Sequence, residues 1–156
     1  MGTLRFYHVT RGSVAETLPK LLARALEAGL RVQIRCADGD RADWLDRALW
    51  LGPEADFTPH GVAGGPHDAL QPVLIDPAPR LAPGIACLMV VDGAEVAVDE
   101  VRALGRTFVV FDGQDAAALA RARAQWTALT GAGLGAEYWS EAAGRWECAR
   151  TAAPSG

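Results

Sequence analysis

The 156-residue chain carries 15 Lys and Arg against 19 Asp and Glu, a formal charge of −4, and half of its residues are hydrophobic. That length suits one domain whose core is large enough to need no disulfide or metal staple. The acidic balance disfavours direct binding to nucleic-acid phosphates, which asks for a basic surplus. No apolar run approaches the ~20 residues that span a bilayer.

The opening MGTLRFYHVT shows no charged-then-apolar pattern, so no leader is expected. Leu4 to Val9 reads as a first strand. Ser13 and Glu16 form a capping box, in which hydroxyl and carboxylate satisfy orphan backbone N–H groups at a helix start. The helix is expected to reach Ala28, with Gly29 as its terminator. Pro19 is expected to end or bend the first turns, so that regular helix begins there.

Val32, Ile34 and Cys36 alternate with Arg31, Gln33 and Arg35, the period of a strand. A turn at Asp38, Gly39 and Asp40 leads into a helix from Arg41 to Trp50. Trp44, Leu45, Ala48 and Leu49 form its apolar stripe. Leu51 to Gln71 is rich in Gly and Pro and is expected to lack regular structure. Val73 to Ile75 is a short strand, and Asp76 to Pro83 a loop. Ala86 to Val91 is a continuous apolar run of the kind that parallel sheets bury on both faces.

A short helix over Val98 to Leu104, a buried strand over Thr107 to Phe111 and a last helix from Asp115 to Thr130 follow. Tyr138 and Trp139, with Trp146 and Glu147 across a turn containing Gly144, read as a terminal hairpin. Trp139 and Trp146 are expected to face one another as a packing pair. Strands alternating with helices imply right-handed crossovers. The fold class is therefore α/β: a Rossmann-like layered fold, mostly parallel, with helices on both faces and a C-terminal hairpin. Residues 1–150 form one domain, and 151–156 are expected to be a disordered tail.

Chemistry finds little support. Neither GxGxxG nor GxxxxGK[ST] occurs, so nucleotide binding lacks its usual cradle. Asp92 and Asp112 each precede a glycine at a strand end. They read either as ordinary turn chemistry or, in an alternative nucleotide-binding enzyme, as functional carboxylates beside the loop from His8 to Ser13. His8, His60 and His67 lack metal-ligand spacing, and no catalytic, cofactor or metal residue is assigned. Cys36, Cys87 and Cys148 are far apart and odd in number. The first two sit in apolar runs, where free cysteine packs as a small hydrophobe, and together they suggest a reducing cytoplasm.

One segment stands out. Trp50 ends a helix, and Phe57 and Pro59 follow in a loop. Exposed together, they would make an anchor cluster of the kind that dominates protein interfaces. Folded back, they would make a satellite core. The residue pattern leaves both readings open.

The order LDxALW (45–50), six residues, FxPHxxAG (57–64) and QPV (71–73) resembles the chi subunit of bacterial DNA polymerase III. The opening RFYHV resembles it too, as do Arg123, Trp126, Ala132 to Leu134, Tyr138, Trp139 and Gly144 to Trp146. The resemblance runs over about residues 4–147. It implies a Rossmann-like, non-catalytic accessory subunit of the replicative polymerase. Such a subunit joins psi, and so the clamp loader, at one surface, and grips the acidic C-terminal tail of single-stranded-DNA-binding protein at another.

The partner surface implied for psi, or for another protein in its place, matches Trp50 and Phe57, with Pro59 and His60 in the same motif. The tail site matches Arg123 and Trp126. A guanidinium can hold a carboxylate by two parallel bonds, and an aromatic wall can receive a phenyl ring. Where the resemblance expects a lysine after the aromatic, this chain has Thr127, which makes the site less basic. Arg121 either compensates or is itself the match, if the helix register slips by two.

Overall fold

A computed structural model describes residues 3–10, 13–51, 60–62, 72–78, 80–141 and 146–154, without the side chains of 15, 49–51 and 60–62. In chain order the elements are β1 (Thr3–Val9), α1 (Val14–Glu27), β2 (Val32–Arg35), α2 (Gly39–Leu51), β3 (His60–Val62), β4 (Val73–Ile75), β5 (Cys87–Val90), α3 (Val98–Ala103), β6 (Arg106–Asp112), α4 (Ala116–Gly131), β7 (Ala136–Ser140) and β8 (Glu147–Ala152). The strands make one sheet in the order β3-β4-β2-β5-β6-β1-β7-β8. Neighbours run parallel throughout until the antiparallel pair β7–β8.

Side chains alternate across a strand, and this divides the core in two. Tyr7, Val9, Val32, Ile34, Cys87, Met89, Phe108 and Val110 face α1 and α2 through Leu18, Leu22, Ala42 and Leu45. Leu4, Phe6, Leu88, Val90, Val109 and Phe111 face α3 and α4 through Val101, Ala122, Trp126 and Leu129. Two helices thus cover each face, the layered α/β/α arrangement expected from the alternation of elements. Cys36 and Cys87 are buried within the first cluster. Burial pushes their thiols up to about 11 and about 12.

On β2 the outward parity carries polar groups into the second face. Gln33 is fully buried; its Nε2 donates to the Arg80 carbonyl and its Oε1 accepts from the Ala82 N–H. Arg35 is 1% exposed and makes two parallel bonds to Glu100 of α3, at 2.8 and 2.7 Å.

Several expectations need correction. Helix α1 starts at Val14, ahead of Pro19, and runs through it. The Glu16 N–H donates to Ser13 Oγ at 3.1 Å, and Thr17, Leu18, Leu21, Leu22 and Ala25 bury one face against the sheet. Capping and burial together outweigh the one backbone bond that proline deletes. Trp44 is not on the buried stripe of α2: it is 44% exposed, while Ala42 and Leu45 are buried. Its ring carries the Arg41 guanidinium, 4.4 Å from the centroid.

The Gly- and Pro-rich stretch from 51 to 71 contains a strand after all, since β3 pairs with β4 at the sheet edge. A parallel partner supplies the backbone bonds that local composition does not advertise. Strand β8 includes Thr151 and Ala152, two residues beyond the expected start of the tail. Trp146 packs edge-on against Tyr7, with centroids 5.3 Å apart, and Trp139 lies under the Arg5 guanidinium. Each tryptophan of the hairpin thus has a neighbour on β1.

Candidate functional site

The residues that merit attention lie where β1, β7 and β8 meet α4. Asp115 starts α4 by accepting from the Ala117 and Ala118 N–H groups at 3.0 and 3.3 Å, as an N-cap carboxylate does. From that start Ala122, Trp126 and Leu129 fall on the buried stripe. Arg123 and Thr127 flank it and are exposed. Trp126 is 7% exposed. Its ring meets Phe6 edge-on at 5.4 Å and Tyr138 at 5.9 Å, so most of the indole is core and one margin faces outward.

That margin borders a cavity of about 490 Å³ lined by His8, Arg123, Trp126, Thr127, Tyr138 and Arg150. His8 is oriented from two sides. Tyr138 Oη lies 2.8 Å from its Nδ1, the proton sitting on either atom according to the imidazole tautomer. The ring also lies tilted against Phe111, with centroids 5.2 Å apart. Its position depends on Gly113, because a Cβ there would overlap the imidazole. Burial raises the Tyr138 phenol above its ordinary value, with the nearby Arg123 charge pulling the other way.

Arg150 enters from β8. It is the Cα partner of Tyr138, and an irregularity in the pairing follows between Tyr138 and Trp139. The two residues therefore share the face turned to α4. Its guanidinium carbon sits 5.3 Å from the Trp126 ring centroid, within cation–π range. Two guanidinium groups and an imidazole, with no carboxylate among these lining residues, surround an aromatic floor. The arrangement suits an anion that also carries an apolar or aromatic group.

A second cavity, about 360 Å³, lies at the carboxyl edge of the parallel strands. Ser13, Arg41, Trp44, Asp92, Gly93, Asp112, Asp115 and Arg121 are among its lining residues. It brings together Ser13, Asp92 and Asp112 of the alternative enzyme reading, whereas His8 faces the first cavity. Ser13, Arg41 and the three carboxylates there already have structural partners. Arg41 donates twice to Asp92, at 3.0 and 2.9 Å. Asp112 accepts from the Gln114 N–H, Asp115 caps α4, and Ser13 caps α1. Asp92 has φ 59°, the left-handed turn geometry that Asp tolerates. Among the described residues no group of three or more His, Cys, Asp or Glu is placed to hold a metal ion, and no helix is long and apolar enough to cross a membrane.

The structure thus brings Arg123 and Trp126 to one cavity, and puts Arg121, two residues earlier on α4, at the other. Of the aromatic segment, Trp50 lies in the last turn of α2 and His60 opens β3, with both side chains outside the described residues. Phe57 and Pro59 lie outside the described residues altogether. Sequence reasoning missed Arg150, and gave His8 and Tyr138 no part in this site. They come from three strands that only the sheet order makes neighbours. No spacing rule links positions 8, 123, 138 and 150.

Comparison with known proteins gives two findings. The chain is 40% identical over 52 residues to "DNA polymerase III subunit chi" of Escherichia coli (strain K12). That stretch is 33% of this chain and 35% of that protein, so the match spans about a third of the relative's length. The model of the family described as "DNA polymerase III chi subunit, HolC" matches residues 1–137. A match over that much of the chain, on an α/β sheet built as the motifs led one to expect, means that this protein belongs to the DNA polymerase III chi-subunit family.

Proposed function

We propose that the chain is a non-catalytic adaptor of the replicative polymerase, holding two polypeptides at once. One is psi or another protein, gripped through the motif residues Trp50, Phe57, Pro59 and His60. The other is the acidic C-terminal tail of single-stranded-DNA-binding protein, in the cavity at Arg123 and Trp126. The observation that carries the reading is this cationic, aromatic-floored cavity on a chain whose net charge is −4. A local concentration of positive charge on an acidic protein selects an anionic partner.

The sheet order supports bridging. Strand β3, which begins at His60, is one edge of the sheet, and β8, which carries Arg150, is the other. Strands are spaced by about 4.8 Å, so two partners at opposite edges would sit roughly 30 Å apart. The carboxyl-edge cavity offers the enzyme alternative less, because its carboxylates are tied to Arg41 and to backbone N–H groups.

Titration of a fluorescent acidic peptide ending in Pro-Phe and a free carboxylate tests the tail site. Micromolar binding that weakens with salt is expected. Arg123→Ala should weaken it by about tenfold or more, the scale of a lost charge-assisted hydrogen bond. Unchanged affinity in Arg123→Ala refutes the site assignment. For the other surface, Trp50→Ala or Phe57→Ala should abolish copurification with the partner while the far-UV spectrum stays intact; loss of fold in both variants would refute it.

A further inference from the structure

We infer that Arg150, on the C-terminal strand, is the second anion-binding residue of this cavity and supplies the charge that Thr127 does not. The inference rests on the acidic-peptide reading above and adds to it a residue outside the family match, which ends at 137. Three observations carry it. Arg150 lines the same cavity as Arg123, but from β8 where Arg123 comes from α4. Its guanidinium lies over the Trp126 ring at 5.3 Å, which sets the charge beside the aromatic floor. Its pairing with Tyr138, just before the break in β-ladder register, turns the side chain toward α4.

Arg121, the other arginine considered as a compensating charge, belongs to the carboxyl-edge cavity. There its side chain packs so closely on Gly93 that a Cβ at that glycine would lie 2.5 Å from its Nε. The ligand class follows from the two-sided arrangement. A peptide with a free terminal carboxylate and at least one acidic side chain nearby could meet Arg123 and Arg150 together, with an aromatic residue against Trp126. A guanidinium holds each carboxylate by paired N–H bonds, whereas a lone lysine offers a point charge. Because Arg150 already stacks on an aromatic face, little side-chain freedom is lost when it binds.

The test uses the full chain and the same labelled acidic peptide, with salt series on wild type, Arg150→Gln, Arg123→Ala, Arg121→Ala and Arg150→Gln/Thr127→Lys. Arg150→Gln should weaken binding by at least about fivefold and flatten the salt dependence. Arg121→Ala should bind as wild type does, and Thr127→Lys should restore most of the affinity that Arg150→Gln lost. Arg150 is exposed, so an unchanged melting temperature is expected and should be verified for each variant. If Arg123→Ala weakens binding but Arg150→Gln does not, the role given to Arg150 is overturned and the tail site stands. If the wild type ignores the peptide, both fall. Weakening by Arg121→Ala equal to that by Arg150→Gln would also overturn the assignment.

Discussion

Removing the charge of Glu100 should expose how this fold tolerates a buried guanidinium. Arg35 is 1% exposed. It donates to Glu100 at 2.8 and 2.7 Å and to the Glu95 carbonyl at 3.0 Å, while its Nε has no partner among the described residues. In Glu100→Gln the new side chain can still accept from the Ala97 N–H, as Glu100 does at 2.9 Å. The start of α3 is therefore kept, while Arg35 loses its counter-charge and the acceptor of its Nη2, which then faces an amide NH2 that can only donate. Leaving a buried charge uncompensated costs about 3–5 kcal/mol. The Glu100 side chain is 19% exposed, so the lower end, about 3 kcal/mol, is expected.

With a urea slope of about 2 kcal/mol per molar, that corresponds to a midpoint lowered by roughly 1.5 M at neutral pH. The deficit depends on pH with a definite sign. The bonds from Arg35 hold the Glu100 carboxyl below its ordinary value of 4.5. Its stabilising contribution is therefore complete above that value, and fades as pH falls through the lower folded-state value. Wild type and variant should converge in acid. Urea unfolding followed by tryptophan fluorescence, at neutral pH and in steps below pH 4.5, measures both effects. Replacing both partners with apolar residues, Arg35→Met and Glu100→Leu, should recover most of the loss. Equal midpoints for Glu100→Gln and wild type at neutral pH would refute the reasoning, as would a deficit that persists undiminished in acid.

Two further outcomes follow from the packing. Cys36 and Cys87 are buried, with thiols pushed up to about 11 and about 12, whereas Cys148 is exposed. A thiol reagent at neutral pH should therefore label Cys148 alone in the native protein, and all three in denaturant; rapid native labelling of Cys87 would contradict the burial. Gly113→Ala should force the His8 imidazole off its position against Phe111 and Tyr138. It should cost about 1–3 kcal/mol, as overpacking does, and weaken acidic-peptide binding; a thermal melt and the peptide titration check it, and wild-type values in both would refute it.

Much of the architecture was legible from residue order. Period-two alternation marked β2, and apolar runs marked β5 and β6. Ser13 with Glu16 marked the start of α1, and Gly29 its end. These signals are local: a cap, a terminator or an alternating strand is satisfied by residues within a few positions. The misreadings fell where long-range contacts override local preference. Pro19 is tolerated inside α1 because the sheet buries the helix around it. Trp44 leaves the apolar stripe to lie under Arg41, and β3 forms in a Gly- and Pro-rich stretch because β4 offers it an edge.

The candidate cavity divides along the same line. Arg123 and Trp126 were named because they match the family's motif, and their i, i+3 spacing on one helix is consistent with a shared face. The sequence alone could also fix the acidic balance, the α/β class and the family motifs, since each is a property of residue order. It could not choose between Arg121 and Arg123, nor bring His8, Tyr138 and Arg150 to the same wall. The meeting of His8 with Tyr138 depends on the parallel pairing of β1 with β7, which carries the C-terminal hairpin and Arg150 to that wall. Pairing between strands more than a hundred residues apart is decided by the packing of the whole sheet, and no local pattern encodes it.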